Sequence, residues 1–254
     1  DDKQEIQKEF INVEVLCTGS NLGYGAGNNF GLKNVNTRYA LILNPDIVCS
    51  NDFFLNINKY LKGNINFSLI GSSYIKSTNY NPAGFFDNKK LNSAKLITEY
   101  DLYEVDWIAG HTILINFDKF KEKKIFDENF FLFFEEIDLC KSLINKGEKI
   151  FTSQKLKIHH LGFQSSFENS SKEKADIDIL REWHWMWSSF YFYKKNYNYF
   201  YALGKMSGKF IRSLIKIFFY LVTFQKNKKK RYLYRFLGIF NAVIGRSSSF
   251  RLKE

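Results

Sequence analysis

Three carboxylates fall within four residues of this sequence, directly behind a run of aromatic side chains. Glu135, Glu136 and Asp138 follow the aromatic stretch at residues 130–134. Carboxylates crowded beside aromatic rings repel one another, and one of them can then have a raised pKa, as a general base requires. On a helix Glu135 and Asp138 share a face, whereas Glu136 points elsewhere. The alternative is an acidic first helical turn that compensates the helix dipole.

A glycine-rich stretch, NLGYGAGNNFG at residues 21–31, is the second candidate. Glycines at every second position let the backbone approach a ligand closely and adopt positive φ. A helix that starts near Gly27 would offer its N–H groups to a phosphate or a base edge. The spacing differs from the G-x-G-x-x-G dinucleotide pattern. A plain turn between a strand and a helix is the alternative reading.

An Asn-Pro-Asp sequence that ends at Asp46 follows the apolar residues 39–43, which we predict to form a buried parallel strand. Ligands of open α/β sheets lie at the carboxyl ends of strands, where a carboxylate can hold a divalent cation against phosphate. His159 and His160 follow another predicted strand, and imidazole is the usual nitrogen ligand for such a cation. Alternatively, Asp46 shapes a turn and the histidines are satisfied strand-end residues.

The sequence around these candidates alternates short apolar runs with helical patterns, which predicts an α/β layer with a mainly parallel sheet. Asp52 is the expected cap of one helix, and Gly147 the expected end of another. Residues 72–102, with a turn signal at Asn81-Pro82, form a polar excursion. We expect strands at residues 10–17, 39–43, 67–71, 104–108, 112–115 and 149–152, and helices at residues 28–35, 53–61 and 130–146.

The composition is that of a globular protein. Hydrophobic residues make up 45% and charged residues 25% of the 254 residues, which excludes a disordered chain and suffices for a sizeable core. Two prolines exclude collagen-like and proline-rich classes. Three cysteines are too few for a disulfide scaffold or a four-cysteine zinc site, and this usage fits a reducing compartment.

Charge divides the chain into two parts. Residues 172–254 contain 18 lysines and arginines against five acids, a surplus of 13 positive charges, whereas residues 1–171 contain 19 bases and 21 acids. The sequence therefore predicts an α/β domain at residues 1–171 and a basic, aromatic, helical region at residues 172–254. A surplus of this kind points to a membrane or nucleic-acid surface as partner.

The apolar residues 206–224 and the basic stretch at residues 226–231 predict an amphipathic helix that lies on an anionic membrane. The uncharged run at residues 217–225 is too short to span a bilayer. One alternative is a helical subdomain that packs on the α/β core and has a solvated basic linker. A nucleic-acid surface is the remaining alternative, but no nucleic-acid motif accompanies the charge, and we expect no such partner.

In their order and spacing, these motifs resemble the family 2 glycosyltransferases, in particular the rhamnosyltransferase-like branch of bacterial O-antigen and polysaccharide synthesis. NLGYGAGNNFG, LILNPD, VDWIAGHTILI, FDENFFLFFEEIDLCKS and HLGFQSS occur in the family's order between about residues 12 and 166. The resemblance implies a nucleotide-diphosphosugar-binding domain of the GT-A type. It also implies a divalent metal, Mg²⁺ or Mn²⁺.

The resemblance assigns a role to each motif. Glu136 occupies the place of the catalytic base, where the family usually has Asp, and Glu135 matches the acid before it. Asp46 and His160, with His159 as second choice, match the metal and diphosphate positions. The implied acceptor-binding residues are Asp106, Trp107 and Gly110. The implied donor-binding residues are Asn21, Gly23, Gly25, Gly27, Asn28, Asn29 and Asp46.

The resemblance implies an inverting transfer of a hexose, rhamnose above all, from a nucleotide-diphosphate sugar such as dTDP-rhamnose. The implied acceptor is a lipid-linked glycan, and the enzyme would be peripheral on the cytoplasmic face of the bacterial plasma membrane. The T-Y-N and D-N-x-S-x-D segments with which the family binds the nucleoside do not precede Phe10. We therefore expect an N-terminally trimmed enzyme. The alternative is a non-catalytic remnant that acts at most as a membrane-associated interaction protein.

Overall fold

The computed structural model describes residues 2–74, 83–86, 96–97, 99–161 and 171–252. In these residues a mixed sheet has helices on both of its faces and is followed by three long helices. The predicted α/β class with a C-terminal helical segment is thus confirmed. The helices are α1 (Asp2–Glu9), α2 (Tyr24–Leu32), α3 (Phe53–Lys62), α4 (Glu135–Asn145), α5 (Ser171–Asn196), α6 (Tyr199–Val222) and α7 (Lys226–Val243). The strands are β1 (Tyr39–Leu43), β2 (Ile47–Cys49), β3 (Leu69–Tyr74), β4 (Ala83–Gly84), β5 (Leu96–Ile97), β6 (Leu102–Val105), β7 (Trp107–Ile108), β8 (Thr112–Asn116) and β9 (Ile150–His160).

Strand direction in the main sheet differs from the prediction. Within the described residues the order is β1-β8-β3-β9-β6-β5, and β2 also pairs with β9. Only β3 and β9 run parallel; the other pairs are antiparallel, including β1 with β8. The predicted mainly parallel sheet is therefore wrong. The predicted burial of residues 39–43 is also wrong, because β1 stands at the end of the described sheet, where only Ile42 is buried and Leu43 is exposed.

Strand β8 shows how the two faces of the sheet are buried. Ile113 and Ile115 join the cluster under α2 and α4, whereas Leu114 joins the cluster under α3. This alternation is the period of two that a strand imposes on its side chains. All five β8 residues are buried because helices cover the sheet on both sides.

The strand predicted at residues 10–17 does not form. This stretch is irregular, and Phe10, Ile11 and Val13 are exposed. β-branched residues favour strands only where a neighbouring strand supplies the ladder and a core covers one face. In the described residues the main sheet ends at β1, and this segment does not pair with it.

Helices α5, α6 and α7 have a core of their own. Trp183, Met186 and Phe190 of α5 pack with Ile239 of α7 in that core. A Cβ at Gly238 would lie 2.4 Å from the Trp183 carbonyl oxygen, so glycine is needed for the close approach of α5 and α7. In the described part of the chain no helix combines the length and the apolar character needed to cross a membrane. The division at residue 171 stays a prediction.

Candidate active site

The acidic segment, residues 130–138, has two strained residues directly before its carboxylates. Helix α4 starts at Glu135, and the predicted start at residue 130 is wrong because Phe133 and Phe134 adopt φ values of 70° and 73°. Left-handed backbone is unfavourable for aromatic residues and persists only where the surroundings enforce it. The Phe134 ring packs on Trp185 and Phe192, each at 5.3 Å between centroids. This packing places all three carboxylates in the first turn of α4.

The three carboxylates have different surroundings. Asp138 is 3% exposed and bonds to Lys195 Nζ at 2.6 Å and Asn196 Nδ2 at 2.8 Å. Glu135 is 2% exposed, and its Oε1 has no hydrogen-bond partner within the described residues. Glu136 is partly exposed. Of the three acids, Glu136 is therefore the one that reaches the surface and makes no ion pair with another described residue.

Burial controls the acidity of the Glu135–Glu136 pair. Burial, followed by the charge of Glu136, raises the pKa of Glu135 to about 8. Burial also raises the pKa of Glu136. The pKa of Tyr24 is raised by burial and then by the charges of Glu136 and Glu135, which places its phenol beside the pair. Near neutral pH the pair therefore holds a proton that an exposed carboxylate would have lost.

The glycine-rich stretch packs against this acidic segment. Helix α2 begins at Tyr24, so the predicted start near Gly27 is wrong, and the Gly27 N–H donates to the Gly23 carbonyl at 3.0 Å. A Cβ at Gly23 would lie 2.2 Å from the Phe131 carbonyl oxygen, and one at Gly25 would lie 3.3 Å from Glu135 Cγ. Gly23 and Gly25 therefore allow the close approach that positions Glu135.

The three asparagines of the stretch hold the backbone. Asn29 is fully buried, and its Oδ1 accepts from the backbone N–H groups of Ile125 and Phe126, each at 3.0 Å. The Asn28 amide donates to the Tyr24 carbonyl at 2.9 Å, and Asn21 Oδ1 accepts from the Gly23 N–H at 2.9 Å. These contacts hold the loop in place. Binding of the nucleotide-sugar donor by any of the three asparagines stays a prediction.

Gly110 and His111, in the turn before β8, join the glycine-rich stretch to the Asp46 turn. The Tyr24 hydroxyl donates to the Gly110 carbonyl. One residue later, the His111 carbonyl accepts from the Asn44 backbone N–H at 3.0 Å. The His111 ring lies 5.8 Å from the His160 ring, centroid to centroid. Three of the other four sequence motifs therefore contact the central VDWIAGHTILI motif directly.

Asp46 and His160 form the second half of the site. Asp46 is 8% exposed, and its Oδ2 lies 3.4 Å from His160 Nε2. Strand β9, predicted to end at residue 152, continues to His160 and pairs it with Ile47 of β2. His159 is exposed, and adjacent residues of a strand point to opposite faces. The structure therefore brings His160, and not His159, to Asp46.

A carboxylate and an imidazole are a fitting but partial donor set for a divalent cation. Mg²⁺ in particular is usually held by one or two carboxylates, with water and substrate phosphates completing its shell. Within the described residues no group of three or more candidate protein ligands occurs. Asp46 and His160 therefore fit a metal that is shared with a bound diphosphate.

His111 is a neighbour of the candidate site that the sequence analysis missed. It is 8% exposed, and burial, followed by the charge of His160, lowers its pKa to about 4. His111 Nδ1 also lies 3.2 Å from Thr112 Oγ1. The available signal was its position, because it directly follows Gly110 in a motif already assigned to the site.

The predicted acceptor residues lie at the small β4–β7 sheet. Asp106 is buried, and its Oδ2 accepts from the Phe86 N–H at 3.1 Å. The partly buried Trp107 ring lies 3.0 Å from the position of a Cβ on Gly84. Gly110 contacts Tyr24 as described above. An acceptor-binding role for Asp106, Trp107 and Gly110 stays a prediction.

Some predicted features lie outside the described residues. They are Gly162, Ser165 and Ser166 of the last motif, and the Asn81-Pro82 turn.

Comparisons with known proteins find similarity to glycosyltransferases in sequence. No protein-family profile matches the chain. The rhamnosyltransferase WbbL of Escherichia coli K12 is 30% identical over 168 residues, which cover 58% of this chain and 63% of WbbL. The low-salt glycan biosynthesis hexosyltransferase Agl10 of Haloferax volcanii is 26% identical over 139 residues, covering 50% of this chain and 45% of Agl10.

The resemblance to glycosyltransferases that the motifs predicted is thus confirmed, and the chain is similar to enzymes named for hexose transfer. The chain spans less than two thirds of the length of either relative. A solved structure described as GalNAc-T7 with UDP, GalNAc and Mn²⁺ is similar with a TM-score of 0.47 and 11% identity, over 75% of this chain and 41% of that one.

Proposed function

We propose that this protein is an inverting, GT-A type family 2 glycosyltransferase of cell-surface polysaccharide synthesis. It transfers a hexose, rhamnose above all, from a nucleotide-diphosphate sugar to a lipid-linked glycan. The observation that carries the proposal is a series of contacts from the acid pair to Asp46. Tyr24 lies beside Glu135 and Glu136 and donates to the Gly110 carbonyl. The next residue, His111, packs on His160, which faces Asp46. Similarity to a rhamnosyltransferase and a hexosyltransferase supports the choice of sugar, and dTDP-rhamnose is the first donor to test.

The proposed reaction is a single in-line displacement. Glu136 accepts the proton of the acceptor hydroxyl, and the hydroxyl oxygen forms a bond to the anomeric carbon of the donor. The bond from that carbon to the diphosphate oxygen breaks, and its electron pair leaves with the nucleoside diphosphate. Glu135, which stays protonated to a higher pH than an ordinary carboxyl group, limits the negative charge beside Glu136.

Asp46 and His160 would hold the metal end of the donor. A bound Mg²⁺ or Mn²⁺ supplies charge neutralisation for the departing diphosphate. Asp46 would contribute a carboxylate oxygen and His160 its Nε2, and Asp46 Oδ2 and His160 Nε2 lie 3.4 Å apart. His111 packs against the His160 ring and restricts its movement. Asp46→Ala is therefore expected to abolish the metal dependence of donor binding.

The test of the proposal is the turnover of four single variants. We expect Glu136→Gln to lower glycosyl transfer by about 10²-fold or more, with donor binding intact, because only proton transfer is removed. Glu136→Asp keeps the carboxylate and should retain activity. Asp138→Asn and Glu135→Gln serve as matched controls, since they alter charge in the same helical turn.

Turnover is measured by release of nucleoside diphosphate across a panel of nucleotide sugars. Equal, small losses at all three positions would remove Glu136 from the role, and a dominant loss at Glu135 or Asp138 would reassign it. If the protein neither transfers sugar from any of the donors nor hydrolyses them, the result supports the non-catalytic alternative.

For location, we propose that the protein is peripheral on the cytoplasmic face of the bacterial plasma membrane, attached to anionic lipid through α6. The support is an apolar stripe in which every member is 44–69% exposed. The stripe consists of Ile211, Leu214, Ile215, Phe218, Phe219, Leu221 and Val222. Lys226, Lys228 and Lys230 follow in the first turns of α7, and such a pairing of apolar and cationic groups suits an anionic lipid surface.

A further inference from the structure

Residues 246–252, which we call the strap, follow α7 and pack against the middle of α5. Two of the contacts come from one buried histidine of α5. His184 Nε2 lies 2.9 Å from the Phe250 carbonyl oxygen, and His184 Nδ1 lies 3.0 Å from Ser248 Oγ. Burial lowers the pKa of His184 to about 4, so the ring is neutral near pH 7. Because a carbonyl oxygen only accepts, Nε2 donates to Phe250 and Nδ1 accepts from the Ser248 hydroxyl.

Aromatic side chains also hold the strap against α5 and α7. The Phe250 ring lies 5.6 Å from the Trp183 ring and 5.0 Å from the Tyr234 ring, centroid to centroid. Trp187 Nε1 donates to the Arg246 carbonyl at 2.9 Å. The strap is therefore attached near both of its ends to the core of the three long helices.

Arg251 extends from the attached strap to the acidic segment. Its guanidinium carbon lies 3.3 Å from the centroid of the Phe131 ring. Arg251 Nη1 also donates to the carbonyls of Ser248 and Phe250, at 2.8 Å and 2.9 Å. These two hydrogen bonds orient the guanidinium, and a cation over the face of an aromatic ring is attracted by the ring electrons.

Phe131 is the residue at which the strap and the glycine-rich stretch meet. Its side chain is 5% exposed, and its ring also lies 4.9 Å from the His184 ring. The Phe131 carbonyl accepts from the Tyr24 N–H at 3.2 Å. Because the Tyr24 phenol lies beside Glu135 and Glu136, Phe131 links the strap to the surroundings of both carboxylates.

The acidic segment needs such support because its backbone is strained. Phe133 and Phe134 have positive φ, and aromatic rings of α5 pack on both of them. Arg251 contacts the segment two residues before this strained pair. We propose that the strap positions the acidic segment, and that Arg251 is a positioning residue that acts on Glu136 through Phe131. The effect on Glu136 rests on the proposed function, whereas the effect on the segment does not.

The experiment measures backbone hydrogen exchange of the full chain by mass spectrometry. Arg251→Met keeps a side chain that can cover the ring but removes the cation, and because Arg251 is exposed the fold should stay intact. We expect exchange in the peptides that cover residues 22–27 and 130–138 to become about fivefold faster, the equivalent of one cation–π contact. Arg251→Lys, which keeps a cation, should recover part of this protection.

Arg246→Met is the matched control in the same strap. The Arg246 side chain is exposed and bonds to Asn241 of α7, so exchange of residues 130–138 should match the wild type. Helix α3, on the opposite face of the sheet, is the internal reference. A strap that serves only the core of the long helices predicts a different pattern. In that case Arg251→Met speeds exchange of residues 246–252 and lowers the thermal midpoint, while residues 130–138 are unchanged, and the proposal is overturned.

Turnover separates the strap from the proposed function. It is expressed per molecule that binds donor, from the calorimetric stoichiometry, so that unfolded protein does not contribute. We expect Arg251→Met to lower kcat about fivefold and to leave the donor KM unchanged, because the base is displaced and the donor site is not. Faster exchange of residues 130–138 with a wild-type kcat overturns the effect on Glu136.

The two proposals fail in different ways. If exchange responds to Arg251→Met but the wild type transfers sugar from none of the donors, the proposed function is overturned and the strap stands. If the protein transfers sugar and exchange of residues 130–138 does not respond to Arg251→Met, the strap is overturned and the proposed function stands.

Discussion

Gly23 lies so close to the acidic segment that no side chain fits there. Its φ is +82°, and a Cβ would lie 2.2 Å from the Phe131 carbonyl oxygen. The same carbonyl accepts from the Tyr24 N–H at 3.2 Å, so a shift of the loop also breaks that bond. The residue therefore acts on the site through packing, by holding residues 130–134 in place ahead of Glu135.

We predict that Gly23→Ala lowers the free energy of unfolding by about 2–4 kcal/mol, because strain at positive φ adds to a backbone clash. Gly27→Ala is the matched control: it lies within α2 with nothing within 4 Å of its Cβ. There alanine should be neutral or stabilising by up to about 1 kcal/mol. Urea denaturation of both variants is the measurement, and equal midpoints would contradict the packing role.

Glu135 makes the stability of the protein depend on pH. Its pKa is raised by burial from the ordinary 4.5 to about 8 in the folded state. Between these values the folded state holds a proton that the unfolded state has released. The stability that protonated Glu135 contributes is therefore fully present below the pKa of the unfolded state, and it is lost as the pH rises toward 8.

We predict that Glu135→Gln, which keeps the shape and removes the titration, is relatively more stable at pH 8 than at pH 5. The change between the two pH values should be on the order of 2 kcal/mol relative to the wild type. Urea midpoints at both values give the result. Glu122→Gln, an exposed change of the same kind, is the control. Parallel pH profiles for wild type and Glu135→Gln would show that Glu135 ionises normally.

At the scale of elements, α4 is held to α5 by an ion-pair bridge. Lys195 Nζ lies 2.6 Å from both Asp127 Oδ2 and Asp138 Oδ2. Asp138 is almost fully buried, whereas the lysine side chain is 38% exposed. Nearby, Ser188 donates to the Leu132 carbonyl at 2.9 Å. The long helices therefore support the acidic segment as well as their own core.

We predict that Lys195→Met lowers the free energy of unfolding by about 1–3 kcal/mol, because it leaves Asp138 buried without its counter-charge; solvent exposure of the lysine reduces the effect. Adding Asp138→Asn to Lys195→Met should restore part of the loss. Lys194→Met, at the exposed neighbouring position, should stay within about 0.5 kcal/mol of the wild type. A similar loss in both lysine variants would argue against the bridge.

The elements that the sequence predicted well are those with local signals. Helix α3 was expected at residues 53–61 and runs from Phe53 to Lys62, because its apolar face repeats at helical spacing; Asp52 stands at the cap position without a side-chain hydrogen bond. The start of α4 was missed, since left-handed Phe133 and Phe134 are enforced by contacts with Trp185 and Phe192, which are distant in sequence.

The candidate site divides in the same way. Residue types and motif order pointed to Glu136, Asp46 and His160, whose chemistry is readable from single side chains. Tyr24 and His111 were not found, because their importance lies in contacts with Gly110, Asn44 and His160 that only the folded chain creates. The direction of β1 was likewise a property of its partner β8.

For the molecule as a whole, the unequal distribution of charge and exposed apolar surface determines how it meets a partner. The first 171 residues are nearly neutral, whereas residues 172–254 carry the surplus of 13 positive charges. Burial of Met206 and Ser213 turns one face of α6 inward, and the opposite face carries the apolar stripe. An apolar stripe of this extent on a solvent-exposed protein surface indicates an interaction site.

We predict that the protein binds vesicles that contain anionic lipid, and that binding weakens strongly between low salt and about 0.5 M salt because the attraction of the basic residues is screened. Ile215→Ser with Phe218→Ser should lower the partition coefficient by about tenfold or more, since two apolar side chains lose their burial. Phe54→Ser with Leu55→Ser, which removes a similarly exposed apolar pair on α3, should leave binding unchanged. Co-sedimentation measures the bound fraction, and analytical ultracentrifugation without lipid measures association. Failure to bind anionic vesicles at low salt, or a dimer that Ile215→Ser with Phe218→Ser converts to monomer, would assign the stripe to protein packing instead.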